Sequence, residues 1–380
     1  MKALVIGAGM MGSAMAYDLA QSDGVERVLL ADIDAERARS VASAIGGSVE
    51  PHALDTRDAP AVTALMRRAD LVLGATSYTH NVQLTDAAID AGVHFCDLGG
   101  NMDVVYEQMR RDERAKAAGV LVLPNCGLAP GMACVVAAGG AARFDAVDEI
   151  HIRVGGLPQH PLPPLNYQLV FSAEGLINEY LEPAEVLAGG EPRTVPSMTD
   201  LERLSFKAPY AELEAFHTSG GVSTLVGMFR AKAQTLDYKT IRYAGHCEKF
   251  RTLLDLGFAS SEPIMVGSTV RTAREIFEEM LRRKLPANGP DVVLMRVTVK
   301  GRMGGAEKTL AYEMTDHYDE GLRITAMMRT TAFPTSVIAQ MVVRGAIPER
   351  GVLPPERCVP LAPFLAELGK RNIVITESLS

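Results

Sequence analysis

Three glycines and one aspartate near the start of the 380-residue chain have the types and spacing to hold a dinucleotide. Gly7-x-Gly9-x-x-Gly12 follows the apolar run Ala3–Ile6, and Asp32 ends a second apolar run, Val28–Ala31, twenty residues beyond Gly12. In such a strand–turn–helix, Gly7 permits the tight turn, Gly9 lets the backbone approach a pyrophosphate and Gly12 lets the helix lie close to the strand. The free N–H groups and positive dipole end of the helix then face the phosphates. Met10 and Met11 lie within the turn and count among the cofactor-contacting positions, their side chains reading as core-facing. Asp32 can accept from both ribose hydroxyls of NAD and repels the extra phosphate of NADP, so NAD is the expected cofactor. A glycine fingerprint alone is common, and the bland alternative is a tight turn that binds nothing. Strand, helix, second strand and acid standing in register favour dinucleotide binding.

The elements that must position these residues alternate regularly. Helices are expected over 10–20, 35–45, 59–68, 80–91 and 104–118, and strands over 3–6, 28–31, 49–54, 70–74, 93–98 and 120–124. Six strands alternating with helices predict a mostly parallel, doubly wound Rossmann sheet. Ligands in such sheets sit beyond the carboxyl ends of the strands. That singles out Ala75-Thr76-Ser77-Tyr78, Asp97-Leu98-Gly99-Gly100 and Asn125-Cys126-Gly127, with Ala75, Thr76, Asp97, Leu98 and Gly99 as cofactor-lining positions. From about Val147 the pattern changes to strand-like alternation at Ile150, Ile152 and Val154, interrupted by glycine and proline over 155–164. Later strands are expected at 240–243, 292–299 and 308–314, the last two joined as a hairpin through residues 301–305. Long strands with few helices between them predict a second α/β domain on a mixed or antiparallel sheet. A helix over 335–345 follows.

Composition excludes several classes. A net charge of −8 without a basic block argues against nucleic acid and anionic membrane, and 47% hydrophobic with 22% charged residues is ordinary for a globular protein. No apolar run approaches the roughly 20 residues that span a bilayer. Cysteines 96, 126, 134, 247 and 358 form no CxxC pair, so a reduced, cytoplasmic chain without structural metal or disulfides is expected.

Several segments together resemble the saccharopine dehydrogenase family: Thr76-Ser77-Tyr78, AIDAGVHFCDLGG at 88–100, Gly127-Leu128-Ala129-Pro130-Gly131, Gly155-Gly156-Leu157-Pro158, Leu165-Asn166-Tyr167 leading to Phe171-Ser172 and Gly175, and Ile241–His246. The resemblance implies a Rossmann domain at 1–125 and about 330–360, to which the chain returns near its end. It also implies a substrate-binding, dimerising α/β domain at 126–329 and about 361–380. Within the family, DLGGN at 97–101, LINEY at 176–180 and EAFHTSGGVSTL at 214–225 are most similar to the branch that oxidises the side-chain amine of L-lysine with NAD. That branch releases ammonia and allysine, which cyclises to a piperideine carboxylate. Ala129, Val154 and Phe171 replace the aspartate, cysteine and tryptophan common in saccharopine-forming reductases. A saccharopine- or carboxynorspermidine-type reductase joining an aldehyde and an amine is the alternative, and a non-catalytic dinucleotide-binding protein a third reading.

An amine dehydrogenase needs an acceptor for the amine proton, an anchor for the substrate carboxylate and a carbon held close to the nicotinamide. Asp97, at a strand end before two glycines, and His217, beside Thr218, are the catalytic candidates, against a helix-capping aspartate and a loop-satisfied histidine. Arg242 can grip a carboxylate through two parallel hydrogen bonds, with a structural salt bridge as its other reading. Tyr78, Tyr167 and Thr218 are expected to line the substrate. The partners implied are L-lysine and a second copy of the chain, as a homodimer or higher homo-oligomer.

Overall fold

The computed structural model describes every residue except Asn288, and only the backbone at Val266. It divides into two compact units, 1–143 with 223–225 and 328–375, and 144–222 with 226–327 and 376–380.

The first unit is built from β1 (Lys2–Ile6), α1 (Met10–Ala20), β2 (Arg27–Asp32), α2 (Ala35–Ile45), β3 (Val49–Ala53), α3 (Ala59–Met66), β4 (Leu71–Gly74), α4 (Asn81–Ala91), β5 (His94–Asp97), α5 (Met102–Met109), α6 (Asp112–Ala117), β6 (Leu121–Leu123) and α7 (Met132–Ala141). β1, β4 and β6 are wholly buried but for Lys2, which is why they read as continuous apolar runs rather than alternating ones. Asp34 and Asp58 cap α2 and α3 through their backbone N–H groups. The single helix expected over 104–118 is two: at Arg111 the backbone N–H turns to the Gln108 carbonyl at 2.9 Å, and the guanidinium bonds the Glu107 carbonyl at 2.6 Å and Asp86.

The second unit contains β7 (Ala146–Pro158), α8 (Ala173–Leu181), β8 (Ala184–Ala188), β9 (Glu191–Val195), β10 (Glu202–Leu204), β11 (Leu213–His217), α9 (Leu225–Phe229), β12 (Thr235–Tyr243), α10 (His246–Asp255), β13 (Pro263–Val266), β14 (Thr269–Thr272), α11 (Ala273–Lys284), β15 (Asp291–Met303) and β16 (Ala306–His317). α9 begins at Leu225, a residue of the first unit. The chain then forms α12 (Ala326–Val343), whose residues from Met328 on belong to the first unit, followed by β17 (Gly351–Val352), α13 (Leu361–Gly369) and β18 (Ile375–Leu379).

The first sheet runs β17-β6-β5-β4-β1-β2-β3 with every pairing parallel, so its switch point lies between β1 and β4. β17, a two-residue strand, joins the six expected strands. The second sheet runs β10-β11-β12-β7-β15-β16-β18, with β8 and β9 attached to β12. Only β12 with β7 is parallel among the pairings of β7, β10, β11, β12, β15 and β16, so the sheet is mixed.

The first compact unit extends to Arg143 and includes α13. α7 is apolar all round and packs so closely on α13 that a Cβ at Gly139 would stand 2.6 Å from the Leu361 Cβ. Gly155 and Gly156 do not break β7; they continue it, because a Cβ at Gly155 would meet the Ile241 carbonyl oxygen at 2.3 Å. The second domain is not poor in helices: α8, α10 and α11 cover one face of its sheet, and Thr272 with Glu275 forms a capping box that starts α11. The β15–β16 hairpin does form, turning at Gly304 and Gly305 with φ of 61° and 81°. The free edge of β16 is covered by β18 of the same chain.

Candidate functional site

In the first unit the glycine turn has the shape that a dinucleotide requires. Gly7 has φ 105°, and a Cβ there would lie 2.5 Å from the Ala75 carbonyl oxygen. A Cβ at Gly12 would lie 1.7 Å from the Gly7 oxygen, so α1 and the turn that follows β1 touch backbone to backbone. Gly9 differs: nothing stands within 4 Å of its Cβ position. Among the described residues no protein atom demands glycine there, and the space beside it is open. Gly9 caps α1 without a side-chain bond, so the N–H groups of the first turn face outward. Met10, exposed at 40%, and Met11, half-buried, are not core-facing; they sit on the outward side of that first turn.

Asp32, at the end of β2, accepts from Ala8 N at 2.7 Å and Asp34 N at 2.8 Å, tying the end of β2 to the glycine turn. The Arg37 guanidinium lies 3.9 Å from it. At the next strand ends two buried polar atoms have no hydrogen-bond partner among the described residues, Thr76 Oγ1 and Asn125 Oδ1. Asn125, held at φ 63° and donating to Ser223 Oγ at 3.0 Å, escaped the sequence reading although its segment was marked; a non-glycine residue in the left-handed region was the missed feature. Gly99, at φ 72°, is pressed against it: a Cβ would stand 1.8 Å from Asn125 Oδ1. Ala75 and Leu98 are half-buried beside these groups, and Tyr78 packs over Gly100.

Asp97 is fully buried, and both carboxylate oxygens are taken. Oδ1 accepts from Gly99 N at 2.7 Å and Oδ2 from Gln108 Nε2 at 2.6 Å. Burial raises its pKa to about 6, with the bonds from Gln108 and Gly99 pulling the other way. The carboxylate therefore shapes the Gly99 turn, and at 0% exposure it does not open to solvent.

In the second unit the alternation of β12 sorts the candidates onto opposite faces. Arg242, Thr240 and Tyr238 share one face with α8 and α10, while Lys239 and Asp237 share the other. Tyr167, Thr218 and Arg242, expected separately to touch substrate, converge on the first face. The Arg242 guanidinium, 3% exposed, lies 4.8 Å from the centre of the Tyr167 ring and donates to Tyr180 Oη at 2.7 Å and the Ile241 carbonyl at 3.0 Å. It also lies over the Tyr180 ring, and among the described residues its further polar contact is Glu179 Oε2 at 3.5 Å. Thr218 meets Thr240 Oγ1 at 2.8 Å, and Thr240 donates to Glu179 Oε1 at 2.6 Å. The Tyr167 hydroxyl is buried without a hydrogen-bond partner among the described residues. His246 bridges Tyr180 Oη and the Leu165 carbonyl, and burial together with Arg242 lowers its pKa to about 3, so it is neutral. Glu179 is the residue missed here, although LINEY had been picked out.

His217 ends β11 opposite Lys239 and points to the other face. Its ring meets the Tyr238 carbonyl at 3.3 Å and Asp200 at 3.4 Å. The structure thus separates His217 from Arg242 by the thickness of the sheet. Asp200, His217 and Asp237 bring possible ligand atoms within 4.8 Å of one another, but Lys239 Nζ already sits 2.9 Å from Asp200 and Arg153 2.7 Å from Asp237. Each of these carboxylates is thus already paired with a cationic side chain.

Residues 3–123 match the family model described as Saccharopine dehydrogenase NADP binding domain, and residues 127–374 match Saccharopine dehydrogenase C-terminal domain. Among curated relatives, the saccharopine dehydrogenase [NADP(+), L-glutamate-forming] of Pyricularia oryzae is 24% identical over 273 residues, 68% of this chain and 58% of that protein. The carboxyaminopropylagmatine dehydrogenase of Synechocystis is 30% identical over 159 residues, 40% of this chain and 39% of that protein. The chain thus spans less than two thirds of these relatives. The apo saccharopine dehydrogenase (L-Glu forming) of Saccharomyces cerevisiae superposes with a TM-score of 0.81 at 19% identity, covering 100% of this chain and 99% of that one, a likeness of fold. No helix among the described residues is long and apolar enough to cross a membrane.

Proposed function

Because the chain belongs to the saccharopine dehydrogenase family, we propose that it is an NAD-dependent amine dehydrogenase that oxidises the side-chain amine of L-lysine to allysine and ammonia. The observation that carries this reading is Arg242, a buried guanidinium only partly bonded, beside a buried tyrosine hydroxyl with no partner. Such a site suits a carboxylate. The Tyr167 cluster offers a single guanidinium, which suits a substrate with one carboxylate better than the larger saccharopine with several.

Gly7, Gly9, Gly12 and the start of α1 would hold the pyrophosphate, Asp32 the adenosine ribose, and Thr76 and Asn125 the amide end of the cofactor. Bound there, the nicotinamide would supply a hydride acceptor. The substrate amine must be neutral before its carbon gives up hydride, and its pKa is about 10.4 free in water. Turnover should therefore rise towards alkaline pH. Loss of hydride leaves an iminium, and water adds to its carbon and expels ammonia, so one ammonia accompanies each reduced cofactor. Asp97 contributes by holding the Gly99 turn beside Asn125, as a positioning residue.

The second reading is a secondary-amine dehydrogenase of the saccharopine type, favoured by the names of the curated relatives. L-Lysine labelled with ¹⁵N at the ε position separates the two. The label should appear in ammonia, stoichiometric with NADH. Its recovery in a larger secondary amine, with no ammonia formed, would sink the lysine reading.

A further inference from the structure

We infer that Glu179 receives the α-ammonium of the amino acid whose α-carboxylate Arg242 receives; the inference rests on the amino-acid reading of this site. Glu179 projects from α8, and Thr240 Oγ1, itself bonded to Thr218, fixes its Oε1 at 2.6 Å. Ser219 N donates to its backbone carbonyl at 3.1 Å, so the residue is held from both sides. Among the described residues its other oxygen has only the 3.5 Å contact with Arg242. Among the described residues, three of the five guanidinium N–H groups of Arg242 have partners: Tyr180, Ile241 and this long contact. A carboxylate and a guanidinium 3.5 Å apart, each with unused capacity, match an α-amino acid, in which ammonium and carboxylate hang from one carbon. Their exposure is graded in the same sense, 3% for the Arg242 side chain and 17% for that of Glu179.

Distance also decides what Glu179 does. The ε nitrogen of an extended lysine lies about 6 Å from its α carbon, five staggered bonds of roughly 1.5 Å each. A carboxylate in contact with Arg242 cannot reach that nitrogen while the α-carboxylate is on the same guanidinium. Glu179 therefore binds the head group and does not act as the base.

The test uses calorimetric titration of the NADH-bound protein with L-lysine and with 6-aminohexanoate, which keeps the carboxylate and the distal amine but lacks the α-ammonium. Wild type should prefer L-lysine. Glu179→Gln, which preserves the shape and the Thr240 bond, should weaken L-lysine about 10- to 100-fold, the range for a charged hydrogen bond, and leave 6-aminohexanoate unchanged. Glu179→Asp should recover part of the loss, which a purely structural role would not give. Equal weakening of both ligands, or of neither, overturns the inference even if turnover persists. A wild type that distinguishes the two ligands through Glu179 but forms no ammonia from L-lysine supports the inference and removes the oxidation reading instead.

Discussion

Replacing Asp97 by asparagine should make the protein more stable at alkaline pH, although it removes a charged group from the centre of the first unit. The carboxylate is 0% exposed, with no cation among its partners, and burial raises its pKa from 3.8 to about 6. A carboxyl whose folded pKa is raised contributes fully below 3.8 and loses that contribution as pH climbs through about 6. At 1.36 kcal/mol per decade of proton affinity, the ionised form costs the folded state about 3 kcal/mol at pH 8, to order of magnitude. Asparagine keeps an oxygen for Gly99 N. Its amide can donate to Gln108 Oε1, which is buried without a partner, once Gln108 turns over. Asp97→Asn should therefore gain about 1–3 kcal/mol over wild type at pH 8, with the difference vanishing below about pH 4. Denaturant unfolding followed by far-ultraviolet circular dichroism from pH 4 to 8 measures it. A variant less stable than wild type at pH 8, or a difference that does not vary with pH, would refute the reasoning.

Four further outcomes are expected. Tyr167→Phe should leave stability unchanged or raise it by about 1 kcal/mol, since the lost hydroxyl is buried and unpartnered, while weakening L-lysine several-fold in calorimetry; a clear loss of stability would show that the hydroxyl has a structural bond. His217→Ala should keep kcat within a few-fold of wild type, because the ring lies on the sheet face opposite Arg242; a drop of about 10²–10⁴ would restore it as the base. Wild type should prefer NAD, and Asp32→Ser should narrow the preference by roughly 1–3 kcal/mol in kcat/KM, with Arg37 left to meet the 2′-phosphate; comparable wild-type efficiency with both cofactors would remove Asp32 from that role. The protein should sediment as a dimer at micromolar concentration, and a monomer there would contradict the oligomer expected from the sequence.

The first unit was legible because its determinants are local. Glycine spacing, apolar runs of strand length and an acid at the end of β2 lie within the first 32 residues, and parallel strands buried on both faces declare themselves as unbroken apolar runs. The capping box at Thr272 and Glu275 was equally local, and could have revealed α11. Where the chain returns was not local at all. Asp18, buried on α1, takes its partners from Ser336 and Arg371, at 2.6 Å each, and nothing around Asp18 in sequence announces them. The same holds for the site in the second unit. Residue type marked Tyr167, Thr218 and Arg242 one by one, but a strand's two faces are set by the register of β12 against β11 and β7. That register put Glu179 with Arg242 and turned His217 away, because successive side chains point to opposite sides of a sheet and only the pairing decides which side is which.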